Sequence, residues 1–208
     1  MSKVNRLAVI LVLVVLAQAH DRAQRVSKAR ILPLPTSEWT DAHRAVLGSM
    51  AQGERTIDVF KTCLKNLELC RAWMPFAQYV LSATNGVPRR EKELLILRTS
   101  WLCRADYDWA HHVPSAKRAG LSDEEIARIA KGPLANEWTP FDAMVLQAAD
   151  ELHRDQHITD ATWKALAERY NERQLMDLVF TVGEYTMVSM FLNSAGVQLE
   201  AGMTGLPR

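Results

Sequence analysis

The sequence predicts an all-α fold, built as a single compact domain of about eight helices. Apolar residues recur at the 3.6-residue spacing of amphipathic helices, and no stretch keeps the alternation of a β-strand. Glycine and proline are sparse, with 9 and 8 residues among 208, which favours long helices over turn-rich β structure. The 48% hydrophobic and 24% charged shares are those of a globular protein large enough to bury one core. The net charge of +1 gives no electrostatic reason to expect binding to nucleic acid or to an anionic membrane.

The first 19 residues have the pattern of a secretory signal peptide. Lys3 and Arg6 form a basic start, residues 7–16 are all apolar, and Ala17 to Ala19 fit a signal peptidase site. The stretch 7–19 has 13 residues, fewer than the roughly 20 that a helix needs to cross a bilayer. We therefore expect cleavage near Ala19 and export of the chain to the periplasm or the medium, without stable membrane insertion. A retained signal anchor is the alternative. The predicted organisation is a signal peptide at 1–19, an extended N-terminal segment at 20–36 and a helical domain at 37–208.

Capping residues, glycines and prolines mark the ends of the helices. Gly86 ends one helix, and Pro88 suits the first turn of the next. Pro114 is expected to kink or split the helix that carries it, since proline removes a backbone donor. The predicted N-caps are Thr40, Ser122 with Glu125 in a capping box, Thr139, Thr159, and Asn171 with Gln174. The predicted helices cover residues 40–50, 57–64, 67–84, 88–102, 106–119, 122–131, 139–157, 159–170 and 171–194.

Four side chains with proton-transfer chemistry lie among apolar residues of two neighbouring helices: Glu93, Tyr107, Asp108 and His112. An ionisable group in a core is costly unless it has a partner or a function. Asp108 and His112 are four residues apart and therefore share one helix face. An imidazole titrates near neutral pH, so His112 is the best candidate for a general acid/base. A surface ion pair has the same spacing and is the structural alternative.

The segment with these residues resembles the carboxymuconolactone decarboxylase superfamily, which includes alkylhydroperoxidase D-like proteins. The flanks RREKELLILR and HVPSAKRAGLSDEEI share the resemblance, which extends from about residue 30 to the C-terminus. The peroxidase branch has a glutamate and then, twelve residues on, C-x-H-C-x-x-x-H; Glu93 and His112 match its glutamate and last histidine. Ala105 and Asp108 stand where that branch has its redox cysteines, and Tyr107 where it has the middle histidine. The acid four residues before His112 is closer to the decarboxylase branch.

The resemblance implies a cofactor-free enzyme that acts on a small carboxylated or carbonyl-bearing molecule. The reaction would be decarboxylation or a related proton transfer beside a carbonyl, as in lyases and isomerases. His112 would be the acid/base, Glu93 and Asp108 the orienting or relay carboxylates, and Tyr107 the donor to an enolate. Family members commonly form trimers or hexamers, so a homo-oligomer is expected.

Structural alternatives stay open for each of these residues. Glu93 can pair with Arg89 or Arg90, and Asp108 can neutralise Arg104. Tyr107 can be a core residue.

Four further residues are candidates for the substrate pocket. Arg98 can bind a substrate carboxylate or pair with Glu93, and structural pairing is favoured because its neighbourhood in the family is packed. Trp109 is as compatible with a core position as with a pocket wall. Glu184 and Tyr185 are polar points on an otherwise apolar helix and are expected to line the pocket from the opposite side.

Neither the histidines nor the cysteines form a metal motif, and no metal or cofactor is expected. His153 and His157 are at i,i+4 but stand among charged residues, which favours a solvated face. Cys63 and Cys70 would lie about 10 Å apart on one helix, too far for a disulfide. Leucines flank both, so both are expected to be buried.

Two rival functions remain. Peroxide or thiol redox activity, the usual label of the family, would depend on Cys103 because the cysteine pair is absent. The second rival function is non-enzymatic: a helical oligomer that binds a hydrophobic small molecule. It predicts ligand binding that does not depend on His112.

Overall fold

The computed structural model describes residues 26–207, which form nine α-helices, three short 3-10 helices and no β-strand. The all-α prediction is therefore confirmed, with a helix number close to the expected one. The predicted signal peptide lies outside the described residues. The helices are α1 (Asp41–Leu47), α2 (Asp58–Cys63), α3 (Leu67–Leu81), α4 (Arg89–Cys103), α5 (Asp106–Arg118), α6 (Asp123–Ile129), α7 (Pro140–Asp155), α8 (Asp160–Ala167) and α9 (Glu172–Ala195).

The predicted caps form as expected at α6, α7 and α9. Ser122 and Glu125 make a reciprocal capping box at α6, and Asn171 does the same with Gln174 at α9. Thr139 accepts a hydrogen bond from the backbone N–H of Asp142. These bonds satisfy backbone donors that have no partner inside the helix.

Two helix predictions need correction. The helix predicted at 40–50 ends at Leu47, because Gly48 has a φ of 55° and the chain continues as a 3-10 turn. Pro114 does not split its helix, since α5 runs unbroken to Arg118. Pro75 is likewise inside the continuous helix α3.

Helix α4 is the centre of the protein. It packs against α5, α7 and α9, and every residue from 92 to 100 is buried. A helix surrounded on all sides is apolar around its whole circumference, and Leu94 to Leu97 are accordingly 0% exposed. Polar residues on such a helix have protein groups, and little water, as neighbours. Glu93 and Arg98 must therefore find partners inside the protein.

A second, smaller cluster joins the N-terminal segment to α1, α2 and α3. The described part of the predicted extended segment runs along the end of α9, where the N–H groups of Arg30 and Ile31 both donate to the Ala195 carbonyl. Gly196, with a φ of 68°, allows this approach, because a Cβ there would lie 2.7 Å from the Lys28 carbonyl oxygen. The residues of this cluster are Leu34, Trp39, Leu47, Cys63, Leu64, Cys70 and Met74.

Cys63 and Cys70 lie on different helices, so the expected separation along one helix does not apply. Both thiols are buried, as predicted, and they form a hydrogen bond with each other. That bond raises the pKa of Cys63 and lowers the pKa of Cys70. All three cysteines, including Cys103, are present as thiols.

Among the described residues, α9 alone is long and apolar enough to cross a membrane by length and composition. In the fold, 56% of that stretch is buried inside the protein. Its apolar character therefore serves the core that it shares with α4.

Candidate active site

The centre of the candidate site is His112, whose two ring nitrogens have different partners. Its Nδ1 lies 2.9 Å from Oε2 of Glu93, and its Nε2 lies 2.9 Å from the hydroxyl of Tyr185. The three residues come from α5, α4 and α9 respectively, so the tertiary fold assembles the group. The rings of His112 and Tyr185 meet edge to face, with centroids 4.9 Å apart. The predicted pairing of His112 with Glu93 is present, and Tyr185 lines the site from the opposite side as expected.

This arrangement defines the proton positions on the imidazole. A carboxylate oxygen only accepts, so Glu93 holds a proton on Nδ1 of neutral His112. Nε2 then has a lone pair, to which the Tyr185 hydroxyl donates. The side chains of His112 and Glu93 are 13% and 8% exposed, so little water competes with these bonds. Neither Arg89 nor Arg90 is needed as a partner for Glu93, and Arg90 instead binds Asp142 and Glu125.

Asp108 lies one turn before His112 on α5, but its hydrogen bond goes elsewhere. Its Oδ2 accepts from the Ser189 hydroxyl at 3.1 Å. Burial raises the pKa of Asp108 to about 6, against the opposing influence of His112 and Ser189. Asp108 is therefore a carboxyl that can gain or lose a proton close to neutral pH. Glu93, and not Asp108, is the carboxylate that orients the imidazole.

Glu184 adds a second buried carboxyl with a raised pKa. Its Oε1 accepts from the Trp73 indole N–H at 2.6 Å. Burial, together with the charge of Asp108, raises the pKa of Glu184 to about 7, although the Trp73 bond opposes the shift. Its other oxygen, Oε2, is buried and has no hydrogen-bond partner within residues 26–207. The carboxyl groups of Glu93, Asp108 and Glu184 also raise the pKa of Tyr185, where burial is the largest cause. Tyr185 therefore stays a phenol, a hydrogen-bond donor.

The structure does not bring Tyr107 to the imidazole of His112, so the predicted enolate donor is not placed for that role. Its hydroxyl donates to Oε1 of Glu200 at 2.7 Å and accepts from the backbone N–H of Val59. His111 binds the other oxygen of Glu200 at 2.8 Å. Burial disfavours the charge of Glu200, but the bonds from His111 and Tyr107 outweigh it and lower its pKa to about 2. Tyr107 and His111 thus hold the C-terminal segment against α5.

Arg98 and Trp109 are structural as well. Arg98 forms two hydrogen bonds with Asp150, at 2.5 and 2.9 Å, and a further one with the Ile129 carbonyl. Gly132 has a φ of 87° and leaves room for the guanidinium, since a Cβ there would lie 2.8 Å from Nη2 of Arg98. Trp109 is 3% exposed and packs in the main core. Neither residue is placed to bind a substrate beside His112. Arg98 forms its hydrogen bonds with Asp150 and Ile129, and Trp109 packs inside the core.

Sequence reasoning missed three residues that contact the predicted ones: Trp73, Ser189 and Glu200. Ser189 is four residues after Tyr185, and this spacing could have placed it on the same face of α9. No feature of the sequence marked Trp73 as a site residue, because its apolar surroundings are those of any core tryptophan. Glu200 follows the last helix, where no periodicity applies.

No cluster of three or more His, Cys, Asp or Glu side chains suited to a metal ion is present in the described part of the chain. His153 contacts Sγ of Cys103 at 3.6 Å through its Nδ1. Burial lowers the pKa of His153, which keeps the ring neutral at pH 7.

The pH dependence of stability tests the buried state of Asp108. A carboxyl with a raised pKa stabilises the fold below its unfolded pKa of about 4, and this contribution is lost as pH rises through about 6. Asp108→Asn should therefore be more stable than the wild type at pH 8, by on the order of 2 kcal/mol. The difference should shrink towards zero at about pH 4. Urea unfolding of both proteins at the two pH values measures it, and equal pH slopes would contradict the account.

Comparisons with known proteins agree with this fold. The model of the carboxymuconolactone decarboxylase family matches residues 68–151, which include Glu93, Asp108 and His112. Sequence comparison with curated proteins finds no significant match. The family match supports the resemblance to the carboxymuconolactone decarboxylase family that the sequence indicates, and solved alkylhydroperoxidase AhpD-like structures share the fold.

Several solved structures share the fold at low sequence identity. A peroxidase-related protein of Ralstonia eutropha with an alkylhydroperoxidase AhpD core has a TM-score of 0.73 and 16% identity, covering 83% of this chain and 93% of that one. A peroxidase-related protein of Silicibacter has a TM-score of 0.67 and 14% identity, covering 86% and 92%. The debrominase Bmp8 in complex with 2,3,4-tribromopyrrole has a TM-score of 0.64 and 15% identity, covering 84% and 94%. The fold is thus shared with an enzyme, a debrominase.

Proposed function

We propose that this protein is a cofactor-free acid/base enzyme, which transfers a proton at the carbon beside a carbonyl group of a small organic molecule. The observation that carries the proposal is the buried chain of hydrogen bonds from Glu93 through His112 to Tyr185. Lyase or isomerase chemistry of this kind needs a base, a group that orients it and a donor for the developing oxyanion. Each of the three residues supplies one of these functions.

The reaction begins when a substrate oxygen accepts the hydrogen bond of the Tyr185 hydroxyl in place of Nε2 of His112. The phenol has one proton, so it can serve Nε2 of His112 or the substrate, but not both. Substrate binding therefore leaves the Nε2 lone pair unbonded and ready to take the proton from the substrate carbon. Glu93 stabilises the imidazolium that forms, and Tyr185 stabilises the enolate. The imidazolium then gives its proton either to a different position of the substrate or to the departing group, which regenerates neutral His112 and completes the reaction.

A pair of tyrosine variants tests the role of Tyr185. Tyr185→Phe should lower kcat by on the order of 10²-fold, the typical effect of one lost oxyanion donor. Tyr107→Phe is the matched control, because its hydroxyl binds Glu200 and Val59. It should keep a rate near that of the wild type, although its stability should fall. Equal rate losses in the two variants would show that the Tyr185 hydroxyl has no special part in the reaction.

Thiol-dependent peroxide chemistry is the second candidate, and the contact between Cys103 and His153 favours it. Their Sγ and Nδ1 atoms lie 3.6 Å apart, and a neutral histidine can accept the thiol proton. The solved structures described as peroxidase-related share this fold. The positions of the missing cysteine pair hold Ala105 and Asp108, so a resolving thiol is not available there. Peroxide turnover that is lost in Cys103→Ser and kept in His112→Ala would favour this function.

A further inference from the structure

An apolar groove opens on the surface between α3 and α9, and Glu184 is one of the residues that line it. The groove has a volume of about 240 Å³ and is open to solvent. Phe180 and Met187 are 54% and 48% exposed, so their apolar surfaces face outward. The lining residues are Phe76, Val179, Phe180, Gly183, Glu184 and Met187.

Glu184 connects this groove with the His112 site. It is the one polar residue of the lining, and only 3% of its surface is exposed. Tyr185 follows it directly on α9, and the charge of Asp108 acts on its carboxyl. Trp73 fixes one of its oxygens, while Oε2 has no hydrogen-bond partner within residues 26–207. A buried polar atom without a partner costs free energy, which a ligand with a complementary group would recover.

The proton on this carboxyl determines what it can bind. With a pKa of about 7, Glu184 carries a proton at mildly acidic pH and then offers an O–H donor. The groups that act on it are the Trp73 indole of α3 and the Asp108 carboxyl of α5, and Tyr185 follows it on α9. Tyr185 in turn is influenced by the carboxyls of Glu93 and Asp108 and bonds to the His112 imidazole. A carboxylate ligand would meet repulsion from the acidic groups, whereas a neutral acceptor would not.

We propose that Glu184 donates a hydrogen bond to the carbonyl oxygen of an uncharged substrate, whose apolar substituent occupies the groove between α3 and α9. This inference rests on the proposed acid/base function and narrows its substrate class to neutral esters, ketones or lactones. Where the carboxyl of Asp108 is ionised, its charge disfavours carboxylated compounds. A neutral carboxylic acid that donates beside a phenol is a known way to stabilise an enolate.

Two probes of the same skeleton test the proposal: methyl 3-phenylpropanoate, which is neutral, and 3-phenylpropanoate, which is a carboxylate. Calorimetric titration of the purified protein at pH 6.5, between the pKa values of Asp108 and Glu184, should show ester binding at least about tenfold tighter than acid binding. Ester affinity should fall at least about tenfold at pH 8.5, where Glu184 is ionised. Glu184→Gln keeps an N–H donor without a titratable proton. It should bind the ester equally well at both pH values.

A second variant tests the groove itself. Gly183 has no atom within 4 Å of an added Cβ, and its φ is not positive, so Gly183→Leu should fold and fill the groove. It should abolish ester binding. Equal binding of both probes, a pH dependence that survives in Glu184→Gln, full ester binding by Gly183→Leu, or no ester binding at all would each overturn the proposal. A second copy of the protein bound in the groove would block the ester, and the titration would then show no ester binding.

Two different variants separate this inference from the proposed function. Turnover in His112→Ala tests the proposed function, whereas the pH dependence of ester binding in the wild type and in Glu184→Gln tests this inference. If turnover of any substrate survives in His112→Ala, the proposed function fails. If ester binding does not depend on Glu184, the inference fails alone.

Discussion

His112→Ala is expected to lower the turnover of a carbonyl substrate by roughly 10²- to 10⁴-fold, the usual contribution of a general acid/base. The imidazole contacts both Glu93 and Tyr185, so its removal breaks the hydrogen-bond chain at its centre. The rate would be measured as kcat/KM against small lactone-acids, β-keto acids, neutral ketones and esters. A far-UV circular dichroism spectrum and a melting temperature would establish that the variant is folded.

His111→Ala provides the matched control for this prediction. His111 is the neighbouring residue on α5, but its ring binds Glu200 and packs on Tyr107 at a centroid distance of 4.4 Å. Its loss should reduce stability and leave kcat close to the wild-type value. A similar fall in rate for both variants would mean that disturbance of α5, and not the loss of a base, causes the effect.

The largest effect on stability is expected for Arg98→Ala. The variant leaves the Asp150 carboxylate without its two guanidinium bonds and the Ile129 carbonyl without a donor. Removal of one partner from a buried ion pair costs about 3–5 kcal/mol, because the remaining charge is uncompensated. Chemical denaturation would show this loss. At temperatures where the variant is folded, its KM should be unchanged, since Arg98 is placed as a structural residue.

The exposed pair of Arg154 and Asp155 is the control for Arg98. Its side chains are 63% and 45% exposed, and solvent screens such a pair. Arg154→Ala should therefore change the free energy of unfolding by less than about 1 kcal/mol. A comparable loss in both variants would contradict the view that burial gives the Arg98 pair its importance.

The helical fold could be predicted from the sequence because local sequence features determine the helices. Capping boxes at Ser122 and Asn171 form as their spacing predicts, and the apolar run from Leu94 to Leu97 is the centre of the core. The exceptions depend on backbone conformation and tertiary support. Gly48 takes a positive φ that ends α1, and α5 continues past Pro114 while it packs on α4.

The site could be predicted only in part, because sequence spacing describes the residues of one helix at a time. Residues 107 and 112 are five apart, which places them about 140° from each other around a helix axis. Tyr107 therefore faces Glu200 with His111, while Asp108 and His112 share the other face. The phenol that bonds to His112 is Tyr185, 73 residues later. Its polar character on an apolar helix made it a candidate, but its exact partner depends on how α9 packs against α4 and α5.

The most direct test of the central claim is α-proton exchange, followed by NMR in D₂O with a panel of neutral ketones and esters. The account predicts that the wild-type protein catalyses exchange of the proton beside the carbonyl, and that His112→Ala does not exceed the buffer rate. Exchange at equal rates in both proteins would contradict the role of His112. No catalysed exchange of any compound by the wild type would contradict proton transfer beside a carbonyl as the function of this site.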